Sequence, residues 1–170
     1  MMKTKKILFW IFCVLALATN VLIIVMAAIP SNESANQSLG FTKWFISIIE
    51  KIDPNSPIVT NVEVTHAVLR KLVGHFGLFG VSGVFTSLTI LFYKDVLVDK
   101  KFAAYGISMA FGLVFAFVSE LVQLVTPGRA FAITDVCIDY SGYIIFGGLV
   151  FLVAGLVMKS KEKKNVSTLG

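Results

Sequence analysis

Residues 119–143, SELVQLVTPGRAFAITDVCIDYSGY, hold the end of one apolar run, a short turn and the start of the next. Pro127 and Gly128 break a helix and favour a tight turn at TPGR, so the two flanking runs become antiparallel neighbours. The same stretch carries Glu120, Gln123, Arg129, Asp135 and Asp139. Such side chains are costly in hydrocarbon unless they face one another or water.

Working outward, four apolar segments stand out, at 7–29, 73–93, 102–125 and 136–158. Each is long enough to cross a hydrocarbon layer of roughly 30 Å as a helix. The chain has 170 residues, 56% of them hydrophobic, with a mean hydropathy of +0.85. That composition excludes an ordinary soluble domain. Backbone groups in lipid must pair internally, so the segments are expected as helices, and the alternating pattern of a membrane barrel is lacking. The expectation is an all-α integral membrane protein, with four transmembrane helices and residues 1–170 as a single domain.

Net charge is +5, and its placement says more than its size. Lys3, Lys5 and Lys6 precede the first span. Lys94, Lys100 and Lys101 separate the second from the third, and Lys159, Lys161, Lys163 and Lys164 follow the fourth. The opposite side holds Lys43, Lys51, Arg70, Lys71 and Arg129. The positive-inside rule then places both termini in the cytoplasm. Short lysine clusters beside spans suit anionic headgroups, so membrane lipids are the expected partner and nucleic acid is not. Ala16-Leu17-Ala18 offers a signal-peptidase pattern, but apolar sequence continues to Ile29, and a retained span is expected. Cys13 and Cys137 both fall inside spans and are expected as buried thiols rather than a disulfide.

After Pro30, SNESANQS reads as a polar loop. Residues 41–52, FTKWFISIIEKI, place Phe41, Trp44, Phe45, Ile48, Ile49 and Ile52 on one stripe. This predicts a short amphipathic helix after the first span, lying in the outer interface or covering the bundle as a lid. DPNSP ends it, and residues 58–69 fit either a strand or a lead-in to the second span. Gly74, Gly77, Gly80 and Gly83, then Gly106 with Ala110, then Gly142, Gly147 and Gly148, are expected to let helices approach closely.

The polar residues share faces. Lys71 and His75 are four apart, Glu120 and Gln123 three apart, and Asp135, Asp139 and Gly142 follow the same spacing. His75, Glu120 and Asp139 sit roughly 6–8 Å inside one end of their helices, at 1.5 Å per residue. Three cations, Arg70, Lys71 and Arg129, balance three anions, Glu120, Asp135 and Asp139. The expectation is one wet, outward-facing cleft. A purely structural network is the bland alternative. So are Asp135 as a helix cap, Arg70 as an anchor at the membrane surface, His75 as a core histidine and His66 as a solvated loop residue. Asn20 is expected to pair helices.

In the functional reading His75, Glu120 and Asp135 handle protons, the imidazole titrating near neutrality. Arg129 and Lys71 hold an anion, and Gln123 and Asp139 complete the binding set. No serine or cysteine stands in a nucleophile motif. His75 with Glu120, Asp135 and Asp139 offers ligand types for a divalent ion. Their spacing matches no metal motif and cations stand beside them, so no metal and no cofactor is expected. Binding of a lipid headgroup or amphiphile without turnover is the rival to acid–base catalysis.

At these residues the chain resembles the VanZ-like family, small bacterial membrane proteins linked to teicoplanin-type glycopeptide resistance. The carriers are RKLVGHF at 70–76, SELVQLVTPGR at 119–129 and TDVCIDYSGY at 134–143. The likeness covers about residues 70–150. Many relatives have a Glu-Tyr pair where Gly77-Leu78-Phe79 follows His75-Phe76 here, and Asn where this chain has Asp139. The resemblance implies a bacterial plasma-membrane location and, as partner, a lipoglycopeptide antibiotic or a cell-envelope precursor. It marks Lys71, His75, Glu120, Gln123, Arg129, Asp135 and Asp139 as the site, and it supplies no reaction.

Overall fold

Pro30 separates the first two helices of the computed structural model, which describes residues 2–93 and 101–167. Helix α1 is Met2–Ala27 and α2 is Ser31–Glu50. After the single turn α3, Pro57–Thr60, a continuous rod is built from α4, Val62–Leu69, a π-helical segment, Arg70–Gly77, and α5, Leu78–Phe92. Helices α6, Lys101–Leu124, and α7, Ile133–Ser167, complete the chain, and no strand occurs among the described residues. Four stretches are long and apolar enough to cross a membrane: Lys3–Ala27, Val62–Phe92, Phe102–Leu124 and Ile133–Ser160.

The four rods alternate in direction. At one end Ser31 N–H donates to Pro127 O at 3.2 Å, and Thr126 Oγ1 donates to Ala27 O at 3.2 Å. At the other, Phe12 stacks on Phe92 at 5.5 Å and Phe9 meets Tyr93 at 5.6 Å. Lys94 and Lys100, expected between the second and third spans, lie outside the described residues. The described Lys3, Lys5, Lys6 and Lys159 belong to the end marked by Tyr93.

The core is inverted relative to a soluble protein. Ser82, Ser87, Ser108, Ser119, Glu120, Asp139 and Tyr143 are fully buried, while large apolar side chains such as Leu17, Val114 and Leu152 are exposed. Lipid is as apolar as leucine, so burial brings leucine little, and small residues take the helix–helix contacts. Ala104, Ser108, Gly112, Ala116 and Ser119 form the buried stripe of α6. Gly106 and Ala110, expected there, are exposed instead, because they fall on the opposite helical face. Gly80, Gly83, Gly142 and Gly147 do sit at close approaches between α5, the π-segment and α7. A Cβ on Gly83 would lie 2.5 Å from Tyr143 O, and one on Gly142 would strike the carbonyl of Phe76.

Two other expectations change. SNESANQS is helical, not a loop, so α2 runs from Ser31 and spans 20 residues. Pro30, at φ −53°, ends one helix and starts the next, and Glu33 in the first turn favours the N-terminal dipole. The apolar stripe of α2 points outward, with Trp44 59% exposed, and Ser34, Thr42 and Ile46 point inward. Residues 58–69 are helical lead-in. The cysteines are free as expected, but Cys137 is exposed on the outer face of α7.

Candidate functional site

The π-segment is where the site begins. Its i→i+5 bonding closes a wider turn than an α-helix, so residues five apart come onto one side. Arg70 and His75 are five apart, and both line a cavity of about 280 Å3. Ser34, Ser38, Phe41 and Thr42 of α2 close one side of it, and Ser119, Gln123, Arg129 and Asp139 close another. Apolar side chains, Ile23, Met26, Leu78 and Phe79 among them, complete the wall.

Gly142 lets α7 touch the backbone of Phe76, and this close approach sets Asp139 beside His75. His75 Nδ1 is 3.0 Å from Asp139 Oδ1, and its Nε2 is 4.0 Å from Asp135 Oδ2. Lys71 Nζ donates to Asp135 Oδ1 at 2.6 Å. The i, i+3 pair on α6 is also made, Gln123 Nε2 donating to Glu120 Oε1. Glu120 Oε2 accepts the backbone N–H of Ala132 at 3.1 Å, from the turn between α6 and α7.

Arg129, on that turn, donates from Nη1 to Gln123 Oε1 at 2.9 Å, from Nε to Ile29 O at 2.8 Å and from Nη2 to Met26 O at 3.3 Å. Burial holds its pKa below the usual arginine range and the nearby Arg70 guanidinium lowers it further, with Glu120 pulling the other way. Two guanidinium groups thus share one cavity without a carboxylate in direct salt bridge to either among the described residues. Arg70 Nη2 donates to Ser34 Oγ at 3.2 Å, tying the rod to α2.

All seven residues marked in the sequence lie at this end of the molecule, in two bonded sets, Lys71–Asp135–His75–Asp139 and Arg129–Gln123–Glu120, that meet where His75, Glu120 and Asp139 come within 4.8 Å of one another. His75, Gln123, Arg129 and Asp139 line the cavity. Glu120 lies behind it, fully buried. Lys71 is half-exposed and occupied by Asp135, away from the cavity lining. Arg70, read from the sequence as a surface anchor, lines the cavity instead. His66, read as a solvated loop residue, is on α4 with Nε2 at 2.8 Å from Ser38 Oγ. Asn20 does pair helices, accepting from Ser82 at 2.6 Å. The serines of α2 were missed. Their i, i+4 spacing, Ser34-Ser38-Thr42, was the available signal, hidden because the segment read as a loop.

The family model described as VanZ/LLP1 matches residues 9–154, most of the chain. No curated protein and no solved structure matches it.

Proposed function

The chain belongs to the VanZ/LLP1 family, and from that premise we propose that it binds an amphiphilic, anionic ligand at the outer membrane surface and so lowers sensitivity to glycopeptide or lipoglycopeptide antibiotics of the teicoplanin type. The observation that carries the reading is the composition of the cavity wall. Arg70, Arg129 and Gln123 offer donors, and Ile23, Met26, Leu78 and Phe79 offer apolar surface. An anionic headgroup with an acyl chain matches both at once. Arg70 joins Arg129 as the anion-holding pair, and Lys71 acts through Asp135. The site shares its end of the bundle with the lysine-poor loops, which by the positive-inside rule faces outward, with both termini cytoplasmic at the plasma membrane.

Turnover would run through His75, with Asp139 orienting Nδ1 and Asp135 near Nε2. A covalent serine route is disfavoured by one observation. Ser119, the hydroxyl nearest this cluster on α6, donates to Ala116 O at 2.9 Å rather than to His75.

The test expresses His75→Ala, Glu120→Gln and Arg129→Ala at matched membrane levels and measures lipoglycopeptide tolerance. Loss of tolerance is expected in each, and wild-type tolerance in all three would refute the site. Mass spectrometry of the drug and envelope lipids after incubation separates the two modes: a new product means turnover, and saturable binding without one means a binder.

A further inference from the structure

We propose that His75, Glu120 and Asp139 together hold one divalent transition-metal ion. One ligand atom from each lies within 4.8 Å of the other two. His75 Nδ1 and Asp139 Oδ1 stand 3.0 Å apart; two ligands about 2.1 Å from a tetrahedral ion stand about 3.4 Å apart, so a shift of a few tenths of an ångström, with Nδ1 deprotonated, seats both on one ion. Glu120 offers the third ligand atom, each of its oxygens keeping a second lone pair beside the hydrogen bond it accepts.

Charge and hydrogen bonding argue for the ion independently of spacing. Glu120 and Asp139 are both 0% exposed, within candidate spans. The cations that balance them on paper are engaged elsewhere. Lys71 holds Asp135, Arg70 is bonded to Ser34, and Arg129 reaches Glu120 only through Gln123. His75 is the cation-capable side chain in direct contact with Asp139. A divalent ion compensates both buried carboxylates while the imidazole stays neutral, the form that ligates. Asp139 Oδ2 is buried with no hydrogen-bond partner among the described residues. An ion held by both Asp139 oxygens would take up Oδ2 as well as Oδ1, removing a feature that is costly inside a membrane protein.

The outer partners are those a metal site uses. Glu120 is fixed by Ala132 N–H and Gln123, contacts that orient a ligand. Three protein ligands leave positions open, and His75 and Asp139 line the cavity, so the ion faces it. One imidazole with two carboxylates favours zinc or manganese over calcium or magnesium. The inference deepens the ligand-site reading and rests on it for what the ion faces: an anionic headgroup in the cavity would meet the ion together with Arg70 and Arg129.

The test uses the full, tag-free chain in detergent, stripped with a chelator and titrated with Zn2+ alone or Co2+ alone. The expected result is about one ion per chain, with chelator-bleached Co2+ absorption bands. Asp139→Asn and Glu120→Gln should weaken binding roughly tenfold or more, while His66→Ala, at the only other histidine, should keep full stoichiometry. Absence of saturable Zn2+ or Co2+ binding by the wild-type chain overturns the proposal, whatever the variants' folding. So does binding that persists unchanged in both folded carboxylate variants. Binding of a short-chain phosphatidic acid, measured in parallel, separates the two readings. Lipid binding without metal binding sinks the metal site and leaves the ligand site standing. Metal binding without lipid binding upholds the metal site and counts against the ligand reading.

Discussion

Arg129 touches three partners of different origin, the Gln123 side chain and the carbonyls of Met26 and Ile29. It therefore ties the α6–α7 turn to the end of α1 while presenting its charge to the cavity. Arg129→Ala leaves those acceptors without their donor and should destabilise the chain by about 1–3 kcal/mol, read as a lower melting temperature in detergent. Arg129→Lys should recover only part of this, since one ammonium does not reproduce the planar fork. Arg70 and Lys71 are adjacent in sequence and differ in what they face. Arg70→Ala should weaken binding of an anionic amphiphile roughly tenfold, the loss of about one charge-assisted hydrogen bond. Lys71→Ala should instead act by freeing Asp135, and should shift affinity less. Titration calorimetry of the two variants checks the order, and equal effects would contradict the assignment of Arg70 to the cavity.

Two features at the scale of elements build the site. One is the contact of α7 with the π-segment and α5, where Gly142 lies on the backbone of Phe76 and Gly147 on Gly83. Gly142→Ala places a methyl against a peptide carbonyl that cannot rotate away. It should cost about 1–3 kcal/mol by overpacking and part His75 from Asp139, lowering both melting temperature and drug tolerance. A Gly155→Ala control, where nothing stands within 4 Å of the added carbon, should change neither. The other feature is α2, which turns Ser34, Ser38, Phe41 and Thr42 to the cavity and Trp44 outward. Ser38 with His66 and Ser34 with Arg70 fasten it to the rod. Its length and its inward face are not legible in the sequence, because SNESANQS has the polar composition of a loop. In a membrane protein, small polar residues mark a packed face, and the apolar stripe marks the lipid-facing one.

On the scale of the molecule, the lysine-poor end carries the cavity, α2 and the α6–α7 turn. Membrane-impermeant thiol labelling of intact cells should modify Asn36→Cys and spare Ser160→Cys, in a background with Cys13 and Cys137 replaced. The reverse pattern would turn the cavity to the cytoplasm and remove access to an external drug.

The helical class, the four spans and the identity of the charged set follow from sequence alone, because apolar run length and lysine clusters are local quantities that lipid reads directly. So does the convergence of His75, Glu120 and Asp139 at one depth, since 1.5 Å per residue turns position into height. Which charges touch is different. Pairing Lys71 with Asp135 and leaving Asp139 Oδ2 alone depend on the rotation of α7 against the rod. The π-segment swings Arg70 onto the cavity, and the glycines set how closely the helices meet. Those are angles and distances between elements, and only the packed structure decides them.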